Sequence, residues 1–469
     1  MEKTLDYIIR IFQEKGIMVD AKRMPLLTAM ASEADTQAAV EVCTKNEDML
    51  TRKWRLKNRI ADIQQQSVSI PNATAGQAYE ASLDLQKFGW TDIVHIDVES
   101  MESIGLSFDR ESLTISGTPR AGGDYAMKVL FRISGEPEES KLNEKIITLI
   151  INPDPKTLWK DLPSDQADKY WKPDEQFAYS PLGDRHLVVG SKRGRAHANV
   201  GSFRDDHYEY AFLPDTGWAM VAVADGAGSA KLSRYGSKIA CEAVAECFKM
   251  TFSPEISLAF DQLIPRYRQE ASEEVKQRLH QFALTIISNI AKYAHNALAD
   301  AAAGEGAQLK DLHTTLVFSI FKKYDFGYAV VSFSVGDCPI AIISKGHNDV
   351  HLLNTLDVGS FSGGTRFITM PEIFKADAYR SRIRFTIVDD FAYLMLMSDG
   401  IYDAKFAVEA DLEKPEKWQE LIIDLDGDNP DGIAVEFKPD NTEICKQLSA
   451  WMDFWSKGNH DDRTLAVVY

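Results

Sequence analysis

The sequence predicts an α+β protein that is built from three structural regions. In residues 1–66, apolar side chains recur at three- and four-residue steps, which is typical of helices. Short β-forming runs separated by turns occupy residues 67–153, with the spacing of an all-β sandwich. In residues 183–469 a block of helices is flanked by strands, which favours a layered α+β domain over a doubly wound sheet. Residues 154–182 are expected to link the last two regions.

The N-terminal region is predicted to be helical because of its apolar spacing. Leu5, Ile8, Ile9 and Phe12 define one apolar stripe, and the stretch 36–66 contains no Gly or Pro that would stop a helix. Two roles are open at this point. The region is either a packing element of the protein or a helix that docks a partner.

The second region resembles immunoglobulin-like, cadherin-like modules. Its strand and turn pattern is carried by the segments GLSFD (105–109), ISGTP (115–119) and GDY (123–125). This resemblance implies a β-sandwich that either binds a protein or serves as a spacer. The segment after it is rich in Pro and Asp, but Trp159, Tyr170 and Trp171 predict that it packs against a neighbouring domain.

Charge and composition exclude several functional classes. The chain has 52 Lys and Arg against 70 Asp and Glu, a net charge of −18, which disfavours binding to nucleic acid. No stretch approaches the ~20 apolar residues that span a bilayer, and the N-terminus lacks the apolar core of a secretory signal. Five scattered cysteines argue against a disulfide framework. We therefore expect a cytoplasmic protein that binds no membrane.

Sequence motifs exclude other hydrolase classes. No cysteine is followed by Arg six positions later, as the phosphate-binding loop of thiol phosphatases requires. The chain also lacks H-E-x-x-H, G-x-x-x-x-G-K-[ST] and G-x-S-x-G. Zinc proteases, nucleotide triphosphatases and serine hydrolases thereby lose their main support.

Three aspartates at strand edges point to metal chemistry. Asp225 and Asp399 each end an apolar run, and Asp461 precedes the last one. A carboxylate in such a place is partly buried, which is costly unless a cation or several donors pair with it. Hard cations such as Mg²⁺ and Mn²⁺ prefer oxygen ligands of this kind. The three residues together predict a metal site.

Five motifs in order resemble the metal-dependent protein phosphatase family, type 2C, from about Gly190 to Tyr469. They are RDD (204–206), VADGAGSA (223–230), TTLVFSIF (314–321) with SVGDCPI (334–340), LMLMSDGIYD (394–403) and DDRTLAVV (461–468). DGAGS and His197, eight residues before the acidic pair, are typical of its divergent bacterial branch. The resemblance implies a four-layer α-β-β-α sandwich, and it implies hydrolysis of phosphoserine and phosphothreonine by a hydroxide that bridges two metal ions.

The resemblance also implies a set of metal ligands. Asp225 would bridge two Mn²⁺ or Mg²⁺ ions, the Gly226 carbonyl would join the second ion, and Asp399 and Asp461 would bind the first. The other implied residues are Asp205, Asp206 or both, holding metal-bound water, and Asp337, a candidate for an optional third ion. Asp461 is preferred to Asp462 because it stands three residues before Thr464, where the family has its ligand.

Two departures from the family leave alternatives open. Gly201 stands where many members have the Arg that grips the phosphate, so Arg204, Arg195 or Arg193 is expected to take that part. Ala227 stands where many members have a proton-donating His. His197 is the candidate substitute, with a structural hydrogen bond as the alternative.

The expected partner is a phosphoprotein substrate, with a cognate Ser/Thr kinase as a further candidate. The rival interpretation is a catalytically weak, phosphatase-like scaffold that binds a kinase or another signalling partner. The Gly- and Ser-rich segment 359–369 is either a plain loop or a substrate flap.

Overall fold

The structure is a computed structural model, and it describes residues 2–99, 101–270, 272–357, 364–375, 379–456 and 458–469. The chain forms two compact units, Met1–Leu158 and Trp159–Tyr469. Among the described residues, no helix combines the length and the apolar character needed to cross a membrane.

The first unit begins with three helices. They are α1 (Glu2–Glu14), α2 (Met24–Ala31) and α3 (Ala34–Gln65). Ile8, Leu27 and Ala31 form a small core between them. The end of α3 contributes the fully buried Ile63 to a second, larger core that it shares with the strands.

The strands of the first unit form two sheets. They are β1 (Ala73–Thr74), β2 (Tyr79–Ser82), β3 (Ile93–Val98), β4 (Leu106–Asp109), β5 (Thr114–Gly117), β6 (Gly123–Ile133) and β7 (Asn143–Asn152). One sheet has the order β1-β7-β6-β3 and the other β2-β5-β4. Burial alternates along β7, because one face packs on the core and the other faces solvent.

The second unit contains a five-stranded and a six-stranded sheet, with the orders β10-β11-β12-β13-β16 and β15-β14-β17-β18-β9-β8. Its strands are β8 (Glu175–Leu182), β9 (Arg185–Lys192), β10 (His207–Leu213), β11 (Trp218–Ala224), β12 (Leu316–Tyr324), β13 (Gly327–Val335), β14 (Ile340–Ile343), β15 (Val350–Leu352), β16 (Ile383–Val388), β17 (Tyr393–Met397) and β18 (Arg463–Val468).

Helices accompany both sheets of the second unit. They are α4 (Arg195–Val200), α5 (Ser233–Thr251), α6 (Pro254–Glu270), α7 (Glu273–Gly304), α8 (Asp399–Lys405), α9 (Pro415–Leu425) and α10 (Ile444–Trp451). One core joins α5, α6 and α7 to the five-stranded sheet, and another joins α8, α9 and α10 to the six-stranded sheet. A third core contains side chains of both sheets. Every residue of β11 is buried, because both of its faces are covered.

The prediction of a mixed α+β fold is confirmed. The segment 154–182 contains a strand, β8, which pairs with β9 at the edge of the six-stranded sheet. Its aromatic residues pack within the second unit, as expected: the ring of Trp159 lies 4.5 Å from that of His460, and the ring of Tyr170 lies 4.4 Å from that of Tyr235.

Candidate active site

The aspartates that the sequence singled out lie at one end of the two sheets. Asp225 follows β11 and Asp337 follows β13, which runs in the same direction because each is antiparallel to β12. Asp206 precedes β10, whose first residue pairs with the last residue of β11. In the other sheet, Asp399 follows β17, and Asp461 precedes β18, which is antiparallel to β17. The fold thus brings five carboxylates from different strand ends together.

These carboxylates repel one another, and all but the half-exposed Asp461 are buried or half-buried. Burial, and then the charges of Asp399, Asp206 and Asp461, raise the pKa of Asp225 well above its usual range. Burial, followed by Asp461 and Asp337, raises the pKa of Asp399 to about 8. Burial and Asp462 raise the pKa of Asp206 to about 7. So many close, buried acids are stable as carboxylates only with cations between them.

The remaining acids fit the same centre. Burial raises the pKa of Asp337, whose carboxylate accepts a hydrogen bond from Thr365 at 2.8 Å. Oxygens of Asp225 and Asp337 and the sulfur of Cys338 lie within 4.8 Å of one another. Burial and Asp462 likewise raise the pKa of Asp461.

Asp462 is occupied by other contacts. Its carboxylate accepts hydrogen bonds from the backbone N–H of Gly194 at 2.6 Å, from the N–H of Asp205 and from His197 Nδ1 at 3.0 Å. Burial opposes its ionisation, but His197 and these donors still lower its pKa. Asp462 therefore holds the backbone at Gly194 and Asp205 in place. The side chain of its neighbour Asp461 is half exposed.

The backbone of the acidic pair Asp205 and Asp206 is held by Lys172, a residue that the sequence did not indicate. Lys172 is buried, and its Nζ donates to the carbonyl oxygens of Asp205 at 3.1 Å and Asp206 at 2.6 Å and to Ser237 Oγ at 3.1 Å. Thr464 Oγ1 donates to Asp206 Oδ2 at 2.7 Å. The side chain and the backbone of Asp206 are thus both fixed.

The donor set fits a pair of hard divalent cations. Asp399 Oδ1 is buried and has no hydrogen-bond partner among the described residues, a costly condition that a cation would relieve. Gly226 lies so close to Asp205 that a Cβ atom would come 2.8 Å from the Asp205 carbonyl oxygen. Only glycine brings the backbone of residue 226 this near to the acidic pair.

His197 lies beside the carboxylates. Its Nδ1 contacts Asp462 Oδ1 at 3.0 Å, and its Nε2 lies 3.8 Å from Asp461 Oδ1. Burial lowers the pKa of His197, but Asp462, Asp205 and Asp461 outweigh it and raise that pKa to about 10. Asp462 therefore orients the imidazole, and the Nε2 side of the ring faces Asp461.

The prediction that Arg204 grips the substrate phosphate is wrong. Its side chain is fully buried and donates to the Pro173 carbonyl, the Asp206 carbonyl and Gln176 Oε1. The alternatives are also engaged, because Arg193 binds Asp161 and the Leu162 carbonyl, while Arg195 donates to the carbonyls of Phe454 and Asp453. The contacts of these three arginines stabilise the segment 193–206.

The segment 359–369, expected to be a loop or a flap, lies partly outside the described residues, which exclude 358–363. Its described part approaches the carboxylates. Thr365 donates to Asp337, and the carbonyl oxygen of Arg366 lies close to Gly336. Arg366 is exposed.

Residues 193–426 match the sequence model of the family described as protein phosphatase 2C. The chain belongs to the protein phosphatase 2C family. The activity class predicted from the motifs, metal-dependent hydrolysis of phosphoserine and phosphothreonine, is that of this family. No curated protein matches the chain.

Solved structures of other phosphatase-like proteins resemble the chain at low similarity. The Mycobacterium tuberculosis serine/threonine phosphatase PstP/Ppp shares 14% identity over 63% of this chain and 97% of its own, with a TM-score of 0.33. The catalytic domain of PstP in complex with two manganese ions has the same identity and coverage and a TM-score of 0.35. RsbX in complex with magnesium shares 11% identity over 62% of this chain and 98% of its own, with a TM-score of 0.32.

Proposed function

We propose that this protein phosphatase 2C family member is an active protein-serine/threonine phosphatase whose metal centre is the carboxylate cluster at the sheet ends. The observation that carries the proposal is the convergence of Asp206, Asp225, Asp337, Asp399 and Asp461, with Asp399 Oδ1 buried and unpartnered among the described residues. A scaffold would have no need for so costly a cluster. The scaffold alternative is therefore not favoured.

The proposed ligands follow from the geometry and the family. Asp225 and the Gly226 carbonyl, with Asp399 and Asp461, would hold two Mn²⁺ or Mg²⁺ ions, and Asp205, Asp206 and Asp337 would complete the surroundings and an optional third site. When bound, two such ions lower the pKa of water toward about 7 and offset the charge that develops on the phosphoryl group. The chain's part is to fix the carboxylates beforehand, which Lys172, Thr464 and Asp462 do.

We propose that His197 delivers a proton to the leaving alkoxide. Asp462 contacts His197 Nδ1 at 3.0 Å, orients the imidazole and, through its charge, raises the pKa of His197 in spite of burial. A protonated imidazole next to the carboxylate centre is suited to general acid catalysis.

Arg366 is our candidate for the residue that grips phosphate. It is exposed, it directly follows Thr365, which donates to Asp337, and a guanidinium suits the phosphate oxygens. Arg204, Arg195 and Arg193, the candidates near the first motif, already form hydrogen bonds within their own surroundings.

The remaining sequence predictions enter here as proposals. A four-layer α-β-β-α arrangement of residues 183–469 is supported by the three cores of the second unit. An immunoglobulin-like module at 67–153, after a helical segment at 1–66 and before a linker at 154–182, is supported by two sheets that share one core. We propose that the protein acts in the cytoplasm on a phosphoprotein substrate, which residues 1–153 select or position, and that a cognate Ser/Thr kinase is a further partner.

Metal titration separates the enzyme from a scaffold. We expect calorimetry of Mn²⁺ with the chelator-treated full chain to give two bound ions, and the Asp399→Asn variant to lose one or both. Asp389→Asn, which removes an exposed carboxylate, is the matched control and should bind as the wild type does. Mn²⁺ binding that is the same in all three proteins would contradict the assignment.

A further inference from the structure

A second cluster of metal-ligating side chains lies outside the carboxylate centre. It comprises His207 and Glu209 on β10 and Glu242 on α5. Each offers one ligand atom, and the three atoms lie within 4.8 Å of one another. Residues two apart on a strand point to the same face. His207 and Glu209 therefore both face α5, which packs on β10.

The histidine of this cluster is buried without a hydrogen bond. His207 is 5% exposed, and neither Nδ1 nor Nε2 has a hydrogen-bond partner among the residues that the structure describes. Glu209 Oε1 is 3.7 Å from Nε2, which is longer than a hydrogen bond. A buried polar group in this condition is costly and calls for an explanation such as an ion.

The two glutamates give the cluster access to solvent and a negative charge. The side chains of Glu209 and Glu242 are 34% and 46% exposed, so an ion could enter from solvent on their side. Lys238 Nζ lies 3.8 Å from Glu242 Oε1, also beyond hydrogen-bond distance, and its side chain is 47% exposed. The lysine is thus free to swing away when a cation arrives.

We propose that His207, Glu209 and Glu242 form a second metal site, which binds a divalent transition-metal ion of the Zn²⁺ type. One imidazole nitrogen and two carboxylate oxygens are the ligand types that Zn²⁺ takes, with water left to fill a fourth position. Imidazole favours Zn²⁺ over Mg²⁺, which prefers oxygen ligands only. The site therefore differs in ion preference from the carboxylate centre.

An ion in this site would join two elements that support the acidic pair. β10 begins directly after Asp206, and α5 carries Ser237, whose hydroxyl donates to the Asp205 carbonyl. Zinc would tie the start of β10 to α5. We expect it to stabilise the fold around the first motif, because an ion that binds only the folded chain raises its stability.

The test is a zinc titration in which the carboxylate centre is disabled. The full chain carrying Asp225→Asn is stripped with a chelator and titrated with ZnCl₂ by calorimetry. Glu209→Gln and Glu242→Gln are then added singly to this background. Glu246→Gln, an exposed glutamate one turn further along α5, is the matched control. Circular dichroism melts without metal verify that each variant folds, which is expected because none of these glutamates is buried.

We expect one zinc ion per chain that depends on the cluster. Its affinity should fall about tenfold or more in each of the Glu209 and Glu242 variants and stay unchanged in the Glu246 variant, since loss of even an outer-shell partner costs about 10- to 100-fold. Equal zinc affinity in all four proteins, or no zinc binding in the Asp225→Asn chain, would overturn the proposal. The readout is metal binding without turnover, so it does not depend on the proposed phosphatase activity.

Discussion

Lys172 Nζ lies 2.6 Å from the carbonyl oxygen of Asp206 and 3.1 Å from that of Asp205. Burial, and then the nearby Arg204, lower the pKa of Lys172 to about 7. A lysine is kept in such a place only if its donors are used, and all three of its acceptors belong to the loop and helix that hold the acidic pair. Lys172 is thus a positioning residue.

We expect Lys172→Met to destabilise the fold and to reduce phosphatase activity. The substitution keeps the apolar stem of the side chain but removes one of two donors from each carbonyl, leaving Ser237 on Asp205 and Arg204 on Asp206. Each lost hydrogen bond costs about 0.5–1.5 kcal/mol. Urea unfolding measures the first effect, and phosphate release with Mn²⁺ measures the second. Lys169→Met is the matched control, because its Nζ forms an exposed ion pair with Glu305. Equal stability of the two variants would contradict this role.

The metal-free protein should lose stability as the pH rises from about 4 to about 7. The pKa values of Asp206 and Asp399 are raised by burial and by neighbouring acids to about 7 and about 8. In that pH range the unfolded chain releases protons that the folded chain retains, so rising pH favours unfolding. Lys172, whose pKa is lowered to about 7 by burial, opposes this trend only above that pH.

Thermal unfolding in the presence of a chelator, measured at several pH values, checks this expectation. Mn²⁺ should raise the unfolding temperature most at the upper end of the range, and Asp399→Asn should flatten the pH dependence of the metal-free protein. Metal-free stability that increases with pH would show that the carboxylates do not repel one another as described.

His197→Asn should impair reaction of the substrate with the poorer leaving group. We expect kcat to fall by about 10²-fold on a phosphothreonine peptide, since an alkoxide needs a proton to leave, and to change little on 4-nitrophenyl phosphate. The comparison of the two substrates is the measurement. Equal losses on both would assign His197 to the alternative, structural role.

Arg366→Ala should weaken binding of the phosphorylated substrate. If its guanidinium holds phosphate oxygens, the KM for a phosphothreonine peptide should rise about tenfold, which corresponds to about 1.4 kcal/mol. Arg380→Ala, at another exposed position, serves as the control. An unchanged kcat/KM in the Arg366 variant would remove Arg366 from the substrate site.

The sequence was sufficient to predict that the carboxylates lie close together, but not to predict which residues surround them. Asp225, Asp399 and Asp461 flank apolar runs, and antiparallel neighbours bring such strand ends to one edge. The sequence did not predict the contact of Lys172 with the acidic pair, because Lys172 lies 33 residues from Asp205 in a segment without periodicity.

The misassignment of Arg204 and the failure to predict the proposed second metal site have related causes. Arg204 was misassigned because proximity in sequence to the motif does not reveal that a side chain points into the core, where Arg204 is fully buried. The second cluster was missed because Glu242 comes from a helix, 33 residues beyond Glu209 on β10. Only the packing of α5 on β10 brings the two together.

The most direct test of the central claim is phosphate release from a phosphothreonine peptide by the full chain with Mn²⁺, comparing the wild type with Asp225→Asn. The claim is that the buried carboxylate cluster is a working metal centre. We expect turnover that a chelator abolishes and that Asp225→Asn reduces at least about 10³-fold, because a transition-state electrostatic contact alone is worth about 10²–10³. Asp215→Asn, in the turn before β11, should retain full activity. Absence of turnover in the folded wild-type protein with either Mn²⁺ or Mg²⁺, or full activity of Asp225→Asn, would contradict the account.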